Sequence, residues 1–147
     1  MPVLRLIIHL IDFGFAKKYI DFEKHIHLRK DKEFTGTRNF ASFNVLHGME
    51  ASRRDDIESI FYTLLYLFVD KETWGELNTD FTEKELKIEL LYEKTMLPKV
   101  LLDMFQYIRK LEFEETPDYD FLIGLFTKNE FYSSSGVMFD YTVRKEK

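Results

Sequence analysis

The chain has 147 residues, enough for one hydrophobic core that buries roughly two-thirds of the surface an unfolded chain exposes. Its 15 Phe and 8 Tyr against three Pro and six Gly exclude low-complexity and disordered classes, and the absence of Cys excludes disulfides, thiolate chemistry and Cys-based zinc sites, as expected of a cytoplasmic or nuclear protein. A net charge of −5 exerts no general pull on nucleic acid or an anionic membrane surface, so neither is an expected partner.

The apolar run Val3–Ile11 is interrupted by Arg5 and His9, has no small-residue cleavage site, and is far shorter than the roughly 20 residues of a membrane span. It predicts one short buried strand. Asp12-Phe13-Gly14 follows, and then a polar stretch from about Lys17 to Leu46 that reads as a long functional loop. Within it, Lys17–Arg38 carries seven Lys or Arg against four Asp or Glu, a local excess of three positive charges.

Helical periodicity begins near Arg54. The positions Ile57, Ile60, Phe61, Leu64, Leu65, Leu67 and Phe68 wrap most of the way round a helix, which predicts a hub buried on nearly every side over about 54–69. Glu83–Glu93, with Leu86, Leu90 and Leu91, predicts a surface helix. Pro98 fits a helix's first turn, and Leu101, Met104, Phe105, Ile108 and Leu111 continue at helical spacing. Thr116 as N-cap, Pro117 at the first position and Asp118 beside the positive dipole end predict a last helix running to about Phe126. The tail from Ser133 predicts irregular chain. His9, His25, His27 and His47 include no pair at i, i+4 on a helix and suggest no metal site. The elements describe a mainly helical domain with a single short strand.

The motifs are more informative in series than singly. Ile11-Asp12-Phe13-Gly14-Phe15-Ala16-Lys17-Lys18-Tyr19, His25-Ile26-His27, Phe34-Thr35-Gly36-Thr37, Ala41-Ser42-Phe43-Asn44 and Ser52-Arg53-Arg54-Asp55-Asp56-Ile57-Glu58-Ser59 occur in this order. In order and spacing they resemble the casein kinase 1 family of serine/threonine protein kinases, from its magnesium-binding triplet onward. Lys110–Phe126 is similar to the late helices of that family, so the resemblance spans roughly Ile11 to Tyr141.

The resemblance implies a mainly α fold, the C-terminal (large) lobe portion of a protein kinase domain. Residues 12–50 would form the activation segment, 54–69 the central helix, 83–128 the later helices and 129–147 the tail. It also implies ATP and Mg²⁺, with Asp12 as metal ligand, Gly14 in a structural role beside it, and Thr35, Gly36 and Thr37 near the acceptor hydroxyl. Lys17, Lys32 and Arg38 would read acidic or already phosphorylated protein substrates or partners. Asp56 would hold backbone N–H groups of a catalytic loop, with Asp55 its more exposed neighbour. Three positions depart from the pattern. Asn39 stands where the family has Arg, Phe61 where it has a small Gly, and Thr73 where it has Pro before Trp74.

Only eleven residues precede Asp12, so a glycine-rich loop, an ATP-anchoring Lys and a catalytic loop have no counterpart in the 147 residues. The chain alone is expected not to transfer phosphate. Two origins fit, a part of a kinase or a pseudokinase remnant acting as a binding module. The hub helix is expected to leave large side chains bare, at roughly 1.5–3 kcal/mol each, and hence to be adhesive or partly molten in isolation.

Overall fold

The computed structural model describes residues 9–77, 84–94 and 97–127. Two strands, β1 (Ile20–Asp21) and β2 (Lys24–His25), form an antiparallel hairpin that pairs Ile20 with His25 and Asp21 with Lys24. Six α-helices follow among the described residues: α1 (Phe43–Leu46), α2 (Arg53–Phe68), α3 (Lys71–Leu77), α4 (Lys84–Glu93), α5 (Lys99–Ile108) and α6 (Tyr119–Thr127). The molecule is mainly helical, as expected of part of a kinase C-terminal lobe. None of the described helices is long and apolar enough to cross a membrane.

The core is built where α2 and α5 lie together. Ile57, Phe61 and Leu65 of α2 meet Leu101, Met104, Phe105 and Ile108 of α5, with Trp74, Leu77, Ile88 and Leu122 closing the flanks. The departures at 61 and 73 both have structural uses. Phe61 is fully buried and stacks on Phe105 with ring centroids 5.0 Å apart. Thr73 donates through its backbone N–H and its hydroxyl to the two carboxylate oxygens of Asp70, each at 2.9 Å, which caps the start of α3; a proline could donate neither bond.

Several expectations need correction. The strand at 3–11 falls mostly outside the described residues, and residues 9–11 are exposed and not in a strand. The hairpin at 20–25 escaped notice because both residues of its turn, Phe22 and Glu23, take positive φ without being Gly or Asn. Among the described side chains of α4, Ile88 is fully buried while Leu90 is exposed; the side chain of Leu86 lies outside those described. The start of α6 lies later than expected: Asp118, rather than Thr116, accepts from a first-turn amide, that of Phe121, at 2.8 Å. The expected irregular tail from Ser133 lies outside the described residues.

The hub helix is not buried all round. Ile60 is 55% exposed and Leu67 67%, one apolar stripe at i and i+7 with Phe68 beside it. Phe13, Phe15 and Phe22 are also open, so several large apolar side chains of the described residues face solvent. Purified chain should therefore bind the dye ANS, and Ile60→Lys with Leu67→Lys should cut that fluorescence while moving stability by less than about 0.5 kcal/mol each. Unchanged dye binding in the double variant would rule the stripe out as the source.

Candidate functional site

The site is assembled from the N-terminal half of α2 outward. Ser52 precedes the helix, and the Asp55 carboxylate three residues on accepts from the Ser52 backbone N–H at 2.8 Å, the returning arm of a capping box. The other Asp55 oxygen accepts from the Ser42 hydroxyl at 2.6 Å and from the Asn44 amide at 3.4 Å. One turn later, Glu58 accepts from the Phe43 backbone N–H at 2.9 Å and the Tyr62 hydroxyl at 2.7 Å, and pairs with Arg109, the residue just after α5, at 3.4 Å. Asp55 is 2% exposed and Glu58 1%. Two buried carboxylates on successive turns thus grip Ser42, Phe43 and Asn44. Desolvation raises the Glu58 carboxyl, and its three partners pull in the opposite direction.

The exposure of the Asp pair is the reverse of that expected. Asp55 is the buried, bonded member. Asp56 is exposed, and its side chain has no hydrogen bond among the described residues. Partial desolvation of the carboxyl raises it, with the adjacent Asp55 charge adding to the effect and Lys17 opposing it.

The two arginines before the Asp pair face the other way. Arg53 donates to the Glu114 carbonyl at 2.6 Å and lies over the Tyr19 ring at 4.6 Å; Arg54 donates to the Leu111 carbonyl at 3.0 Å. His25 of the hairpin meets Phe113 edge-on at 4.8 Å. The whole Ser52–Glu58 block is therefore a junction that ties hairpin, loop, α1 and the α5–α6 connection to one helix end.

The activation-segment candidates gather on one side of this junction. A cavity of about 410 Å³ is lined by Phe15, Lys17, Lys32, Thr35, Gly36 and Thr37 together with Ser42, Glu50, Asp55, Asp56 and Ser59. Gly36 holds φ at +117°, a conformation side chains rarely adopt, so it lets the Thr35–Thr37 loop turn along the rim. Arg38 opens a short 3₁₀ turn, Arg38–Phe40, whose Phe40 stacks on Trp74 at 5.4 Å. It does not line the cavity, so of the three expected anion readers only Lys17 and Lys32 do.

Those two lysines are already engaged. Glu50, 4% exposed, accepts from Lys17 on one oxygen and from Arg29 at 2.8 Å on the other, with Lys32 3.9 Å from the same second oxygen. Lys17 above all, then Arg29 and Lys32, holds the Glu50 carboxyl below its usual range against the opposing effect of burial. The carboxylate is covered by cationic side chains rather than by depth in the protein, so solvent still screens it.

Asp12 stands apart. It takes a left-handed backbone conformation, φ 61°, at the head of a 3₁₀ turn, Phe13–Phe15, and its carboxylate accepts from the Gly14 amide at 3.4 Å. A Cβ at Gly14 would come within 3.3 Å of that carboxylate oxygen, so the exposed Asp12 side chain would have to shift by a few tenths of an ångström to admit one. Mg²⁺ bound with a nucleotide takes one or two carboxylates plus phosphate oxygens held from several sides. Asp12 offers one exposed carboxylate, and no group of three or more His, Cys, Asp or Glu side chains converges among the described residues.

Sequence reasoning missed Glu50 and undervalued Asp55 and Glu58 as positioning residues. Two signals were available: Ser52-x-x-Asp55 before an apolar run, and a Glu at 58 amid the apolar positions of α2.

The family model described as fungal protein kinase matches residues 7–68. The matched stretch runs from just before Asp12 to the last residue of α2, and so contains the hairpin, the cavity and the whole Ser52–Glu58 junction. The chain is protein kinase-like over this stretch.

Proposed function

We propose that the chain is the activation-segment and C-terminal-lobe portion of a casein kinase 1-like serine/threonine protein kinase, which would use ATP to phosphorylate acidic or already phosphorylated protein substrates. The observation that carries this reading is the grip of Asp55 and Glu58 on Ser42–Asn44. It gives the ordered series of motifs one physical purpose, which is to fix the loop bearing Thr35, Gly36 and Thr37 against α2. Lys17 and Lys32 on the cavity rim support the acidic-substrate part, and a cytoplasmic or nuclear location accords with the Cys-free sequence.

On this reading the chain by itself lacks the groups that cradle phosphates and accept the hydroxyl proton, and is inactive alone. A second reading, a pseudokinase remnant acting as a protein-interaction module, is favoured by the isolated Asp12 and by the open stripe on α2. Thermal unfolding with and without Mg–ATP tests the nucleotide part. A binder at ten times its Kd is stabilised by about 1.4 kcal/mol. No shift is the expected result for this chain, and a saturable upward shift would overturn the inference that it is inactive for want of a nucleotide site.

A further inference from the structure

The three cations around Glu50 are placed by the backbone as well as by its carboxylate. The Glu50 backbone N–H donates to the Arg29 carbonyl at 2.9 Å, and the Lys32 N–H donates to the Gly48 carbonyl at 2.8 Å, so residues 29–32 run hydrogen-bonded beside 48–50 whatever occupies the side-chain cluster. Lys17, Arg29 and Lys32 nonetheless keep 42%, 65% and 40% of their side-chain surfaces open. Their charged ends converge on a single carboxylate supplied by the chain itself. Glu33, Asp55 and Asp56 also line the cavity, so with Glu50 its four carboxylates outnumber Lys17 and Lys32. Asp55 is turned to Ser42, Asn44 and Ser52, which leaves Glu50 as the carboxylate that meets the cations directly.

We propose that Glu50 is a built-in competitor for the acidic ligand: it occupies Lys17, Arg29 and Lys32 in the unbound chain, and a phosphomonoester on a partner peptide docks by displacing it. The proposal rests on the reading of the basic loop as the acidic-substrate site and specifies how that site selects. A side-chain carboxylate of a partner would exchange one monoanion for another with no net gain. A phosphomonoester carries close to two charges and three acceptor oxygens, enough to engage the three cations together. Glu50 thereby makes the loop selective for phosphorylated over merely acidic partners.

The test is fluorescence anisotropy of the full chain with a fluorescein-labelled peptide carrying one phosphoserine, and with its glutamate counterpart. Three proteins are compared: wild type, Glu50→Gln, and Lys17→Ala with Lys32→Ala. Glu50→Gln should bind the phosphopeptide roughly five- to tenfold more tightly, the size expected on freeing a few solvent-screened ion pairs, and should gain proportionally more for the glutamate peptide. Both effects should shrink as salt rises. Equal or weaker phosphopeptide binding by a folded Glu50→Gln, with binding lost in the lysine variant, would overturn the competitor role and leave the basic-loop reading standing. Phosphopeptide binding unchanged in the lysine variant would overturn that reading and the proposal together. If Glu50→Gln loses cooperative unfolding, Glu50→Asp decides. Its charge is kept but it is one methylene too short to span Lys17 and Arg29, so tighter binding supports competition and unchanged binding overturns it.

Discussion

Replacing Glu58 by Ala should cost roughly 3–5 kcal/mol and remove most of the stability of a domain this size. Truncation strands three donors at once: the Phe43 N–H, the Tyr62 hydroxyl and one Arg109 N–H lose the acceptor they share in a site that is 1% exposed. A buried donor left unmade carries its full desolvation penalty, about 1–3 kcal/mol, whereas the net value of a satisfied bond is smaller. An exposed glutamate such as Glu93 sets the scale, since Glu93→Ala should move stability by less than about 0.5 kcal/mol. Urea unfolding of the three proteins checks the ranking. A loss below about 1 kcal/mol at Glu58 would mean that Ser42–Asn44 is held by Asp55 alone.

The same residue gives a dependence on pH. Burial raises the folded-state value of Glu58 above its ordinary 4.5. A raised carboxyl contributes stability that is complete below the unfolded value and is lost as pH climbs through the folded one. Glu58→Gln cannot ionise and keeps an acceptor for Phe43 and Tyr62. Its stability relative to wild type should therefore rise as pH increases from 4.5, opposite in sign to the trend for Glu50, whose lowered carboxyl stabilises above its unfolded value and ceases to do so in acid.

Sequence reached furthest where one physical signal dominated. The apolar density from Ile57 to Phe68 located α2 to within a residue of its start, because a long run at helical spacing has few alternative conformations. It overstated the burial of that helix, since periodicity shows which side chains are apolar and not which are covered; Ile60 and Leu67 fit the pattern yet face solvent. Asp55 and Asp56 could not be ranked from sequence, because neighbours on a helix point about 100° apart and the facing element decides which is buried. Ser42, thirteen residues away, made that choice. At α6, Thr116 and Asp118 are both competent caps, and the contest is settled by the amide each can reach. Glu50 was invisible for a related reason: its partners lie 33, 21 and 18 residues back along an irregular loop, with no periodic spacing to announce them.

Phe61→Ala should destabilise the chain by about 3–5 kcal/mol, and Phe61→Gly by about 1 kcal/mol more. The ring is fully buried, stacks on Phe105 at 5.0 Å with planes 29° apart, and meets Tyr62 edge-on at 5.5 Å. The resemblance places a small glycine here, and on that ground alone Phe61→Gly would be harmless. The geometry predicts otherwise, because α5 approaches α2 with Phe105 already filling its side of the contact, and removing the facing ring leaves a void that a close-packed interior closes only in part. A double-mutant cycle of Phe61→Ala and Phe105→Ala isolates the pair. Its coupling should be about 0.5–1.5 kcal/mol, that of an aromatic pair beyond its buried area. If Phe61→Gly were as stable as the parent, the α2–α5 seam would have to close over the lost ring, and Phe61 would not be the centre of this core.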